Sequence, residues 1–216
     1  MGGKSGQKPT LKQADARSAE ASPKARAIIE AATRLFIEYG FARVSVDCIA
    51  HTADVSKATV YNNFEDKQRI FRVCMEVLGQ RVCPSALDPP LNDDAHSILE
   101  ACAIWLRRTA TSQEFIGFYR LCIMEARRFP DISQLGYTCM RDGLLAPCED
   151  IFGTLGDRGL LEIPDTEAAA EHFCSAILGA WIWRQFLERP TNVDIVPQKY
   201  INQVVDMFAR AYATTS

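Results

Sequence analysis

A chain of 216 residues and 24.1 kDa, 48% apolar and 24% charged, is ordinary material for one large globular unit or two small ones. Its longest apolar stretches are broken by Arg, Glu or Gln within about a dozen residues, short of the roughly 20 that a helix needs to cross a bilayer, so no membrane span is expected. The net charge of −3 divides unevenly, with +4 over residues 1–82 and −7 over residues 83–216, which suits a head that meets a polyanion and a body that does not.

Residues 1–22 read as a disordered arm rich in Lys, Ser and Ala, with Lys4, Lys8, Lys12 and Arg17 as its cations. The arm has no apolar run of the kind a secretory leader requires. Gly3-Lys4-Ser5 lacks the upstream glycine of a phosphate-binding loop, and Gly6 stands where a myristoylation signal needs Ser or Thr. A cytoplasmic location is therefore expected, with reduced thiols. Cys48, Cys74, Cys83, Cys102, Cys122, Cys139, Cys148 and Cys174 form no Cys-x-x-Cys, and His51, His96 and His172 do not fall at ligand spacing from them. No metal and no cofactor are expected, and most of these cysteines read as small core residues.

Strand signals are absent, and nearly every later segment has helical spacing, so the fold class is all-α, with about nine helices. The first helix is expected from Pro23 to Tyr39, with Ser22 as cap and Pro23 at the first helical position. Ile28, Ala31, Ala32, Leu35, Phe36 and Tyr39 share its apolar face, and Gly40 ends it as a left-handed C′ residue. A short helix follows from Val46 to Thr52, capped by Ser45. After the break Ala53-Asp54-Val55, a second short helix runs from Ser56 to about Asn63. A longer one spans Lys67 to Val82 behind Asp66, with Ile70, Phe71, Cys74, Val77 and Leu78 inward. Residues 83–94 hold three prolines and mark the boundary between head and body. Helices are then expected at 95–111, 113–128, 131–155, 165–188 and 197–213, with Pro147 kinking or splitting the third.

Residues 45–64 carry the function. Two short helices joined by a turn of three or four residues have the helix-turn-helix layout. Ile49, Ala50, Ala53, Val55 and Val60 are apolar where two crossed helices touch, and Ala50 and Ala53 are small enough for close approach. That leaves Lys57, Thr59, Tyr61, Asn62 and Asn63 on the outer face, side chains that can bond phosphates and base edges. The run Ser45, Ile49-Ala50, Ala53-Asp54-Val55-Ser56, Tyr61, Phe64 and Lys67, preceded by Phe36 and Tyr39-Gly40-Phe41, resembles the DNA-binding head of TetR-type repressors over residues 24–82. The departure is Asp54, where the family usually has Gly; Asp tolerates a left-handed backbone better than most residues.

The resemblance implies a sequence-specific DNA-binding regulator, by default a repressor, and no enzyme. It implies DNA contacts from Ser45, Ser56, Lys57, Thr59, Tyr61, Asn62, Asn63 and Lys67, with Phe64 in the core. It also implies a homodimer through the last two helices, 165–188 and 197–213, on a palindromic operator. Ile201, Val204, Val205, Phe208, Ala211 and Tyr212 stripe the final helix accordingly. A small lipophilic effector would bind among the middle helices, with Trp105, Phe118, Tyr119, Cys122, Trp181 and Arg184 as candidate lining. The Arg128-Phe129-Pro130 turn occurs in a subgroup of these regulators. Two alternatives remain at this level: a thiol redox trigger through Cys102, Cys122 or Cys139 on the same DNA-binding head, or a small helical enzyme, for which no Gly-x-Ser-x-Gly and no convincing Cys-His pair exists.

Overall fold

The computed structural model describes residues 22–83, 94–187 and 196–214. The expected arm, apart from Ser22, and the proline-rich loop at 84–93 lie outside the described residues. Among the described residues ten α-helices follow in order: α1 Pro23–Arg43, α2 Val46–Thr52, α3 Lys57–Asn63, α4 Lys67–Val82, α5 Ala95–Ala110, α6 Gln113–Met124, α7 Pro130–Met140, α8 Ala146–Asp157, α9 Thr166–Leu187 and α10 Gln198–Ala211. No strand occurs among the described residues, and no helix there is long and apolar enough to cross a membrane.

The first four helices make a head. α1 and α4 lie against each other through Ile28, Ile29, Ala32, Leu35 and Phe36 on one side and Ile70, Phe71, Cys74 and Leu78 on the other, all buried. Each of these Ile, Leu and Phe side chains contributes about 1.5–3 kcal/mol by leaving water. Gly40 interrupts α1 as expected, but at φ 76° and ψ 164° it is in a region essentially reserved for glycine rather than in the left-handed helical well. One more turn, Phe41–Arg43, follows the break. It swings the Phe41 ring under the head, 5.9 Å from Phe36 and 5.0 Å from Phe71.

α6 was expected to reach residue 128 and stops at Met124. Pro130 disfavours helix at the preceding residue, so Phe129 leaves at φ −129° and ψ 77°. Residues 125–129 wind as a single turn in which the Arg128 and Phe129 amides both donate to Glu125 O, at 2.9 and 2.8 Å. The turn drives Phe129 into the head, 4.9 Å from Phe41 and 5.0 Å from Phe71. The Arg128 guanidinium covers Phe41 at 4.7 Å, and Arg72 covers Phe129 at 5.1 Å while bonding Asp131 at 2.8 Å. The Arg-Phe-Pro turn is thus the wedge that joins body to head.

Pro147 splits the expected 131–155 helix in a specific way. α7 and α8 are joined by a π-helical turn, Arg141–Leu145, where the Ala146 amide reaches back to Arg141 O. The wider turn makes room for a proline ring that cannot donate to the preceding turn. In the body, α5, α8, α9 and α10 surround Phe152, Phe173 and Phe208, whose rings lie 5.0–6.2 Å apart. One expectation needs correction here. The stripe Ile201, Val204, Val205 and Phe208 on α10 is buried within its own chain, against α5 and the Phe152–Phe173 pair, and is not a free face for a second subunit. A single helix cannot present one stripe to both, and the intramolecular core takes it.

Candidate nucleic-acid interface

α2 and α3 are held as a corner by their own caps. Ser45 Oγ accepts from the Cys48 amide at 3.1 Å, and Ser56 Oγ accepts from the Thr59 amide at 3.0 Å. The turn closes with Ala53 donating to Ile49 O and Val55 to Ala50 O, at 2.9 and 3.0 Å. Asp54 has φ 53°, so it takes the left-handed conformation that glycine would supply. That costs on the order of 1 kcal/mol, less for Asp than for most residues. Ile49, Ala50, Val60 and Phe64 are buried under the corner and fix α3 onto the head.

The outer side of α3 carries Lys57, Tyr61 and Asn62, all exposed, Tyr61 to 49%. Lys57 and Tyr61 are one helical turn apart, on the same face. Lys57 is not idle: its Nζ lies 2.8 Å from Asp47 Oδ1 and 3.0 Å from Oδ2. The hydrogen bond to that carboxylate raises the Lys57 pKa and keeps the ammonium charged. Asp47 stands in the first turn of α2, and a partnership ten residues apart across a turn leaves no signal in the spacing.

Four of the other expected contacts also have jobs inside the protein. Thr59 is half-buried and its hydroxyl pairs with Ser56 Oγ at 2.9 Å, so both serve the α3 N-cap. Asn63 is exposed, and its amide donates to Thr59 O at 2.7 Å, closing the last turn of α3. Lys67 is half-buried; its ammonium donates to Phe41 O at 3.0 Å and Val44 O at 2.8 Å and sits 4.3 Å over the Phe41 ring. Burial, with the Arg128 charge nearby, lowers its pKa. Lys67 thus satisfies the last carbonyls after Gly40, with one proton left for an outside acceptor. Ser45 is exposed at the start of α2, and His51 is exposed too.

The six residues expected to line an effector pocket fall into separate groups. Phe118, Tyr119 and Cys122 share α6; Phe118 and Cys122 are buried, and the Tyr119 hydroxyl donates to Gly136 O at 3.2 Å. Phe115 and Phe118 flank the Tyr119 ring at 4.5 and 5.1 Å. Trp181 is half-buried beside Tyr200, and exposed Arg184 lies 4.8 Å over its ring. Trp105 is buried on α5. None of the six lines the cavity of about 530 Å³ at the α8–α9 turn, bounded by Gly153, Gly156, Gly159, Leu161 and Thr166. A polar pair interrupts the α6 aromatics: Arg120 donates to Gln185 O, and Gln185 is buried, its Oε1 without a partner among the described residues. No group of three or more His, Cys, Asp or Glu among the described residues is placed to hold a metal.

Residues 28–74 match the family described as bacterial regulatory proteins, tetR family, and residues 97–214 match the AefR-like transcriptional repressor, C-terminal domain. The HTH-type transcriptional regulator YvkB of Bacillus subtilis is 25% identical over 167 residues, which span 76% of this chain and 85% of YvkB. YhgD of the same bacterium is 30% identical over 79 residues, but the match spans only 41% of YhgD and 34% of this chain. Among solved structures, the flavonoid-responsive regulator FrrA is 26% identical, with a TM-score of 0.69 over 89% of this chain and 98% of its own. A TetR transcriptional regulator from Agrobacterium tumefaciens has the same fold at 23% identity, with a TM-score of 0.71 over 89% of this chain and 96% of its own.

Proposed function

Because this chain belongs to the TetR family of bacterial transcriptional regulators, we propose that it is a ligand-released repressor whose α3 reads the major groove. The observation that carries this reading is the corner itself. Ile49, Ala50, Val60 and Phe64 are spent on the core, and Lys57, Tyr61 and Asn62 are left together on the outside. Lys57 exchanges Asp47 for a base edge or phosphate on binding, Tyr61 bonds a phosphate through its hydroxyl, and Asn62 is placed to accept and donate at an adenine edge. Ser45 and the first amides of α2 meet a phosphate. Ser56, Thr59 and Asn63 hold α3 in shape and stand at the rim of the contact, and Lys67 braces the corner from inside through Phe41 O and Val44 O.

Two heads act together on a palindromic duplex, one turn of DNA apart. The dimer forms on the outer side of α9, where His172 and Ser175 are exposed, and on the outer side of α10 at Met207, since the inner side of α10 is already covered. The effector is a small aromatic molecule that parts the Phe115, Phe118 and Tyr119 layer and offers a hydroxyl to Gln185 Oε1. The buried, unpartnered acceptor supports that assignment, as does the flavonoid response named for FrrA. Release follows if the ligand prefers a different placement of the heads. The protein acts in the compartment that holds the DNA, the cytoplasm.

Fluorescence anisotropy tests this with a labelled duplex from the region upstream of its gene. Nanomolar, salt-sensitive binding that survives excess random DNA is expected. Binding no tighter to that duplex than to random DNA rejects the reading.

A further inference from the structure

The eight cysteines are not scattered in space. Cys48 is exposed on α2 and Cys74 is buried in the head. Cys102, Cys148 and Cys174 run through the core of the body with sulfurs 3.6 Å apart in turn, closed to solvent. The remaining three, Cys83, Cys122 and Cys139, gather where α4, α6 and α7 meet.

Cys83 caps the C-terminus of α4, its amide donating to Gly79 O at 3.1 Å, and its side chain is half-buried. The Cys139 thiol at the end of α7 faces the same Gly79 carbonyl at 3.8 Å, so both cysteines meet at the last turn of α4. Two glycines make the room. A Cβ on Gly79 would stand 3.3 Å from Cys139 Sγ, and one on Gly143, in the π-turn, 2.8 Å from Cys83 Cβ. Cys122 packs behind, its sulfur 3.0 Å from where a Gly136 Cβ would be.

We propose that Cys83 and Cys139 are a redox-active dithiol, a modification site for hydroperoxides, whose disulfide ties the helix leaving the head to the body. This rests on the DNA-binding reading for its consequence but not for its chemistry. The Cys83 thiol donates to Cys139, which lowers the Cys139 pKa and raises that of Cys83; burial pushes Cys122 up to about 12 and leaves it the inert member. The Cys139 thiolate attacks the peroxide oxygen, giving a sulfenic acid and an alcohol, or water from hydrogen peroxide. Cys83, losing its proton, then attacks the sulfenyl sulfur and expels water. Two thiols thus lose two electrons and two protons, and one hydroperoxide is reduced. Closing the sulfurs to about 2.05 Å draws the end of α4 toward α7, and the other end of α4 carries the head.

The test uses the full chain, reduced, then treated with hydrogen peroxide, alkylated and mapped by mass spectrometry, alongside C83S, C139S and C148S. A Cys83–Cys139 linked peptide is expected in the wild type and C148S and in neither C83S nor C139S. Affinity for the upstream duplex should fall at least fivefold on oxidation, return with dithiothreitol, and stay unchanged in C83S. Absence of the linkage, its routing through Cys122 or Cys148, or a linked protein that binds DNA as the reduced form does overturns the proposal. If the reduced protein fails to select the duplex, the regulator reading is what falls; the peptide map alone then decides the dithiol.

Discussion

Replacing Phe129 by Ala should be the most damaging single change outside the helix interiors. The side chain is 1% exposed and meets the rings of Phe41 at 4.9 Å and Phe71 at 5.0 Å, with the Arg72 guanidinium at 5.1 Å. Truncating a buried Phe costs about 3–5 kcal/mol through lost transfer energy and the cavity left behind. Part of this is two aromatic pairs at about 0.5–1.5 kcal/mol each. A loss near 4 kcal/mol is expected, a large share of the roughly 5–15 kcal/mol that holds a domain folded. Phe129→Leu, which fills much of the space, should lose about half as much. Urea unfolding measures it, with tryptophan fluorescence reporting on the body, where Trp105, Trp181 and Trp183 all reside, and far-ultraviolet dichroism reporting on the whole chain. In the wild type the two signals should coincide; in Phe129→Ala they should separate, the head melting first. Exposed Ile123 is the control, since Ile123→Ala should cost under about 0.5 kcal/mol. A Phe129→Ala loss below about 1.5 kcal/mol, or coincident transitions in that variant, would refute the wedge as the element that holds head to body.

Lys57→Ala should weaken operator binding roughly tenfold and flatten discrimination against random DNA, read by anisotropy; an unchanged ratio would remove Lys57 from the reading face. Asp54→Gly should raise thermal stability by up to about 1 kcal/mol by relieving the φ of 53°, and tighten DNA binding by removing a carboxylate from a phosphate path, whereas Asp54→Val should destabilise. Lys67→Met strands Phe41 O and Val44 O, so a stability loss of about 1–3 kcal/mol is expected, while the slope of log affinity against log salt stays put. A slope shallower by about 0.9 would instead make Lys67 a phosphate contact.

The head was legible because its signals are local. Ser45 and Asp66 cap their helices as expected, each accepting from an amide three residues on; Ser56, read as the first residue of its helix, caps it instead, and Ser22 makes no side-chain cap bond. Gly40 and Asp54 announced positive φ by residue type, and both adopt it. What escaped were partnerships across distance in sequence. Nothing near Lys67 says that its ammonium will be used on carbonyls 23 and 26 residues earlier, and nothing near Lys57 says that Asp47 will claim it. The apolar stripe of α10 was read correctly as a stripe, but periodicity names a face and not its partner, and α5 of the same chain took it. The end of α6 failed for a related reason: Leu121 to Phe129 keeps helical spacing, and only the clash imposed by Pro130 turns Phe129 out of it.

That turn also bounds how the two halves of the molecule can communicate. A ligand in the body moves the heads only if the junction is stiffer than the signal it carries. Allosteric coupling between sites typically amounts to about 1–3 kcal/mol. The Phe129 wedge, at about 4 kcal/mol, exceeds that before Arg128 on Phe41 and the Arg72–Asp131 pair are counted. A ligand of ordinary coupling strength therefore shifts α7 and the head as one piece instead of unseating the wedge. Phe41, in contact with Phe129 and Arg128 and with Lys67 at the entry to α4, is where displacement of the body reaches the DNA-facing corner. Lys67→Met should accordingly weaken the response of DNA affinity to any body-directed perturbation, the Cys83–Cys139 disulfide included. A full oxidative response in that variant would show that the displacement travels along α4 alone.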